Sequence, residues 1–153
     1  MAKSAVKLIH TGAVKKTILI KVSKQKVWRK VSNIVGLPLW VIDIKKTKYL
    51  SKKKRGIGAI REITFNDGSV IEEHVVAWKN GESFTYIATK GLPLKAYVAT
   101  ISICEKTKNS TQLTWESYLI SNKTTENKFL EFLVFMGSFY EASLENLKNS
   151  LEK

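Results

Sequence analysis

Apolar and polar positions change their period twice along this chain. Residues 14–22 carry the β-branched and apolar side chains Val14, Thr17, Ile18, Leu19, Ile20 and Val22, which predict a strand. Residues 6–10 read as its early part, with Thr11-Gly12 as a break or bulge. Ser23 then offers an N-cap, and residues 24–32 place Val27, Trp28 and Val31 on one face of a short helix. Gly36-Leu37-Pro38 stops that helix, and Leu39-Trp40 opens a second short helix or turn leading into a strand near 41–50.

From residue 57 onward the pattern is strand after strand. Residues 57–65 end at Asn66-Asp67-Gly68 and residues 70–78 at Asn80-Gly81, both strong hairpin signals. Residues 83–89 run into Gly91-Leu92-Pro93, residues 95–104 into a polar turn, and residues 111–120 form the last strand. The period then becomes helical. Behind a cap at Thr124 or Thr125, Phe129, Phe132, Leu133, Met136, Tyr140, Leu144, Leu147 and Leu151 recur at three-and-four spacing. Each large side chain buried there contributes ~1.5–3 kcal/mol, so this face must pack on something. No strand–helix alternation of the kind a parallel sheet needs is present. The expected fold class is α+β, one domain over residues 1–153, in which a long C-terminal helix closes over a curved antiparallel sheet and leaves a cavity.

Composition narrows the function classes. An apolar fraction of 44% is ordinary for a globular domain, and no apolar run is long enough for a membrane helix. The first residues lack the apolar core of a secretory signal, so the expected compartment is the cytoplasm. A single cysteine, Cys104, excludes an internal disulfide and a cysteine-based zinc cluster. Two histidines are too few for a metal site, no Ser-His-Asp arrangement is legible, and no cofactor is expected. The net charge of +13 is uneven: residues 1–61 hold 17 of the 26 Lys and Arg and one acid, Asp43. This is either a lysine-rich solvated surface or a face for an acidic partner. In the second case Lys45, Lys46, Lys48, Lys52, Lys53, Lys54 and Arg55 would hold the phosphates of nucleic acid or of an anionic membrane.

Gly56-Ile57-Gly58-Ala59-Ile60-Arg61, followed by Phe65, Asp67-Gly68, Glu73, Val75 and Trp78, resembles the ligand-binding superfamily that contains START domains, the birch pollen allergen and the polyketide cyclase/dehydrases (SRPBCC). Residues 22–28 are similar to that family's first strand turning into its first helix, and residues 111–115 to its last strand. The resemblance in element order covers nearly all of the chain after residue 13. It implies the helix-grip fold, in which seven strands wrap a long C-terminal helix and two short helices close one end of the groove. It also implies a hydrophobic ligand such as a lipid or polyketide, with cyclisation or dehydration in the same cavity for some members. Gly56-x-Gly58 lacks the strand–turn–helix context of a phosphate loop and reads as a site of bulging or curvature.

Alternation groups the residues that would face such a cavity. Phe84, Tyr86 and Ala88 share one face; Tyr97, Ala99, Ile101 and Ile103 share a second; Leu113, Trp115 and Ser117 share a third. Both faces of the 95–104 strand are apolar or small, so its inward parity stays open. Ala88 and Ala99 would leave space for a ligand or sit against the helix. Phe132, Met136, Phe139 and Tyr140 would form the lid. The expected ligand contacts are these helix residues with Trp78, Phe84, Tyr86, Ala88, Leu92, Tyr97, Ala99, Ile101, Leu113 and Trp115. Either Glu72 with His74, or Glu73 with Val75, enters the groove. Glu73, His74 and Tyr86 are the candidate acid–base groups, and Arg61 would pair with Glu73 across the 66–68 turn. Residues 91–94 resemble an apolar loop at a cavity mouth. Three functions follow: a binder or carrier of a small hydrophobic ligand, a cyclase/dehydrase-type enzyme, or a polyanion-binding basic face.

Overall fold

In a computed structural model, which describes residues 8–153, the chain runs β1 (His10–Ile20), α1 (Lys24–Val31), one 3-10 turn (Leu37–Leu39), β2 (Ile44–Tyr49), β3 (Ile60–Phe65), β4 (Val70–Lys79), β5 (Ser83–Lys90), β6 (Ala96–Thr107), β7 (Ser110–Ser121) and α2 (Glu126–Leu151). All seven strands form one antiparallel sheet in the order β1-β7-β6-β5-β4-β3-β2. This is the helix-grip arrangement: a curved sheet folded around α2.

Local chemistry sets the element ends. The Ser23 hydroxyl accepts the Lys26 N–H at the start of α1, and Thr125, rather than Thr124, accepts the Lys128 N–H at the start of α2. Gly68 and Gly81 take positive φ in the hairpin turns. Gly56 and Gly58 also take positive φ, so β3 begins only at Ile60, and the chain turns sharply before it. Pro38 sits inside the 3-10 turn, which spans Leu37–Leu39 instead of starting after it.

The break expected at Thr11-Gly12 does not exist. β1 pairs with β7 without a register shift from His10↔Ser121 to Ile20↔Thr111. Gly12 has a packing reason: a Cβ there would lie 2.6 Å from Leu133 Cδ1 and 3.2 Å from Phe129 Cε2, so its absence lets α2 approach the strand. Leu8 and Ile9 precede β1, and residues 6–7 lie outside the described residues.

α2 lies along β1. Lys148 Nζ donates to the Leu19 carbonyl at 2.8 Å, and Glu152 accepts the Lys21 N–H at 3.0 Å, so side chains of α2 cover the open edge of the sheet. α2 comes closest to the sheet backbone along β1. Leu113, Leu119, Leu144 and Leu147 fill the interface on that side. Over β3, β4 and β5 the helix is reached only by long side chains, and a gap remains between them.

Candidate functional site

The gap is a cavity of about 520 Å³, open at one end. Its volume lies within the usual range of roughly 300–1,000 Å³ for small-molecule sites. Ile63, Ile71 and Ile101 from the sheet and Phe132, Met136, Phe139 and Tyr140 from α2 make an apolar wall. Leu37 of the 3-10 turn, with Trp40 and Val41 between that turn and β2, closes one side, and the Ile42 N–H donates to Ser143 Oγ at 3.1 Å to tie that connection to α2. Phe65, Leu92, Pro93 and Phe135 stand around the mouth with Asp43 and Asp67.

The polar floor is built across strands. Arg61 on β3 and Glu73 on β4 are direct register partners. Both are buried, at 4% exposure each. Arg61 Nε donates to Glu73 Oε1 at 2.9 Å, and Nη2 lies 2.7 Å from the same oxygen in the ion pair. Arg61 Nη1 donates to the Ile34 carbonyl at 2.8 Å, and its guanidinium lies 4.7 Å from the centre of the Tyr86 ring. Burial pushes the Glu73 carboxyl above its ordinary value, while the Arg61 charge and hydrogen bonds pull it back.

Three tyrosines surround this pair. Trp115 Nε1 donates to the Tyr86 hydroxyl at 3.0 Å, and the Tyr97 and Tyr140 hydroxyls bond each other. Burial pushes all three phenols up, those of Tyr86 and Tyr97 well above their usual range. They therefore stay neutral at ordinary pH and act as hydrogen-bond donors, not as bases. The Trp115 ring stacks on Tyr140 at 3.9 Å and 9°, and meets Trp40 edge-on at 5.5 Å.

Of the residues expected to contact a ligand, Tyr86, Leu92, Tyr97, Ile101, Trp115, Phe132, Met136, Phe139 and Tyr140 line the cavity, and Glu73 faces it. Trp78, Phe84, Ala88, Ala99 and Leu113 are not in its lining. Trp78 and Phe84 stack on each other at 5.5 Å and meet Trp28 of α1, so they seal the far end of the groove. Leu113 lies in the core, and Ala99, between Tyr86 and Ser117 in the register, is covered by larger neighbours. Ala88 packs against that core. His74 points to the convex face, where its Nε2 lies 3.0 Å from Glu72 Oε2, so Glu73 with Val75 enters the groove. The buried set Tyr97, Ala99, Ile101 and Ile103 settles the parity of β6.

Arg61, and the connection residues Leu37, Trp40 and Val41, were not among the expected ligand contacts. The only signal for Arg61 was its cross-strand position opposite Glu73; nothing periodic marks an inward-facing connection. Lys45, Lys46 and Lys48 are exposed on β2, where Lys48 pairs with Glu62 at 3.5 Å. Lys52, Lys53 and Lys54 are exposed in the β2–β3 connection, and Arg55 lies 5.4 Å from the Trp78 ring, bracing the sealed end. Among the described residues no helix is long and apolar enough to cross a membrane, and no group of three His, Cys, Asp or Glu could hold a metal.

The strap over the mouth depends on one glycine. Gly91 has φ +95°, and a Cβ there would lie 2.0 Å from the Val70 carbonyl oxygen and 3.0 Å from Ile71 Cα. Gly91→Ala therefore adds roughly 1–2 kcal/mol of backbone strain before the clash is counted. The expected result is faster amide exchange at Leu92 and Leu94, with the amides of β6 and β7 unchanged. Unchanged exchange at Leu92 and Leu94 would mean that the strap tolerates a side chain.

Solved structures of similar shape are numerous. The chain matches protein XoxI from Bacillus cereus at TM-score 0.79 and 21% identity, over 91% of this chain and 94% of that one. It matches an aromatase/cyclase from a Streptomyces species at TM-score 0.77 and 13% identity, over 94% of each chain. A START superfamily protein from Mycobacterium smegmatis matches at TM-score 0.77 and 17% identity, over 92% of this chain and 97% of that one. At these identities the likeness shows the fold alone. No curated protein matches the chain. The family model described as "Polyketide cyclase / dehydrase and lipid transport" matches residues 11–152, and the chain belongs to that family.

Proposed function

We propose that this protein binds or carries a small hydrophobic molecule in the cavity between the sheet and α2. The single observation that carries the reading is the cavity itself, about 520 Å³ with apolar walls and one compact polar patch at its floor. Apolar surface moved from water to these walls contributes roughly 25 cal/mol per Å², while the floor orients the one polar end. Native mass spectrometry of the purified protein is expected to show a co-purifying lipid or metabolite. Met136→Trp tests the same reading, because it puts a larger side chain into the cavity from α2. Its affinity for a naphthalene-sulfonate dye should fall at least about tenfold, at a stability cost of about 1–3 kcal/mol. Undiminished dye binding by the folded variant would remove the cavity as the site.

A second reading, a cyclase/dehydrase-type enzyme, is favoured by the position of Glu73. Its raised carboxyl faces the cavity beside neutral phenols, so one group exchanges a proton while its neighbours donate hydrogen bonds to developing charge. Turnover of a polyketide-like substrate that survives Glu73→Gln would exclude this chemistry.

A further inference from the structure

We infer that the cavity selects a neutral, hydroxyl-bearing hydrophobic molecule and rejects a carboxylate. The inference rests on the reading of the cavity as a ligand site and specifies the ligand's polar end.

The first observation is an unequal carboxylate. The Arg61 Nε hydrogen bond to Glu73 and the ion-pair contact from Nη2 both end on Oε1. Among the described residues no donor reaches Oε2. Nor is Oε2 one of the sealed polar atoms without a partner, which are Trp40 Nε1, Ser117 Oγ and Asn122 Oδ1. The Glu73 side chain is only 5% exposed and lines the cavity. Oε2 is thus an acceptor with free lone pairs facing an apolar chamber. It is satisfied by a ligand that brings an O–H.

The second observation is the charge around the chamber. The chain as a whole is +13, yet the charged residues lining the cavity are Arg61 against Glu73, Asp43 and Asp67. Arg61 is already spent on Glu73 and on the Ile34 carbonyl. A carboxylate would pass Asp43 and Asp67 at the mouth and meet the Glu73 oxygen at the floor, with no free cation among the described lining residues to receive it. An ammonium is disfavoured at the same floor by the adjacent guanidinium. A neutral hydroxyl has neither cost, and its oxygen can in turn accept from a neighbouring phenol such as Tyr86, whose own oxygen is already engaged by Trp115 Nε1–H.

Calorimetric titration of the full chain with naphthol, naphthalene and naphthoate at neutral pH tests this. The three probes share one apolar body and differ only at the polar end. Naphthol is expected to bind about tenfold or more tighter than naphthalene, the gain from a hydrogen bond to a charged acceptor, with naphthoate weakest. Glu73→Gln frees the Arg61 charge, so naphthoate should become the tightest of the three. If that variant does not fold, Arg61→Met/Glu73→Met replaces it and should bind naphthol and naphthalene alike. Naphthoate binding wild type as well as naphthol does, or naphthol binding no better than naphthalene, overturns the selectivity while leaving the cavity as a site. Failure of all three probes to bind overturns the cavity reading together with the selectivity.

Discussion

Arg61→Ala is expected to lower the unfolding free energy by about 3–5 kcal/mol, the usual cost of removing one partner of a buried ion pair. The cost is not the value of the attraction. It arises because Glu73, 4% exposed, is left with a charge and no counter-ion, and the Ile34 carbonyl loses its donor. The double variant Arg61→Met/Glu73→Met should sit within about 1 kcal/mol of wild type or above it, because similar volume is refilled without either desolvation. Urea denaturation of the three proteins decides between the two accounts. If the double variant is as unstable as Arg61→Ala, the pair stabilises the fold outright. The dependence on pH has a definite sign. The folded-state value of Glu73 lies above its ordinary 4.5, so the folded protein holds that proton more tightly than the unfolded chain. Its contribution is fullest below about pH 4.5 and is lost as pH rises through the elevated value. The stability of wild type relative to the double variant should therefore fall over that window.

The same pair shows what could be read in the chain before its shape was known. Asn66-Asp67-Gly68 announces a hairpin, and a hairpin of that length brings β3 and β4 into register, so Arg61 opposite Glu73 was legible. The long apolar stripe of α2 was legible for a similar reason, since it repeats over 26 residues. Legibility ends where contact depends on a partner distant in sequence. Gly12 reads as a break because a glycine in a strand is ambiguous, and only Leu133 pressed against it shows otherwise. Phe84 and Tyr86 share one face of β5, yet only Tyr86 reaches the cavity, because Trp28 from α1 takes the space over Phe84. The parity of β6 was unreadable because Ala96, Val98 and Thr100 are nearly as compatible with burial as Tyr97, Ala99 and Ile101. Phe135 falls on the outward side of the helical stripe and is 60% exposed, but the gap under α2 turns it into part of the mouth. In each case the local period was silent about what lay opposite.

Trp115→Ala should cost about 3–5 kcal/mol and enlarge the cavity. Trp115 joins three parts of the molecule: it rises from β7, stacks on Tyr140 of α2, and meets Trp40 of the connection before β2. Its N–H is also a donor to the buried Tyr86 hydroxyl, which loses that bond in the variant. Trp115→Phe separates these contributions. It keeps a ring against Tyr140 and removes the N–H, so the bond alone accounts for about 0.5–1.5 kcal/mol of the loss. The remainder belongs to the ring and the space it fills. Because Trp115 already lines the chamber, the void left by alanine joins the existing cavity instead of forming a sealed hole. A probe one ring larger than naphthalene should gain affinity for the alanine variant over wild type, even as denaturation shows the protein weaker. A loss below about 1 kcal/mol would mean that α2 is held to the sheet without this stack, and the cost assigned to it would pass to the leucine contacts along β1 and β7.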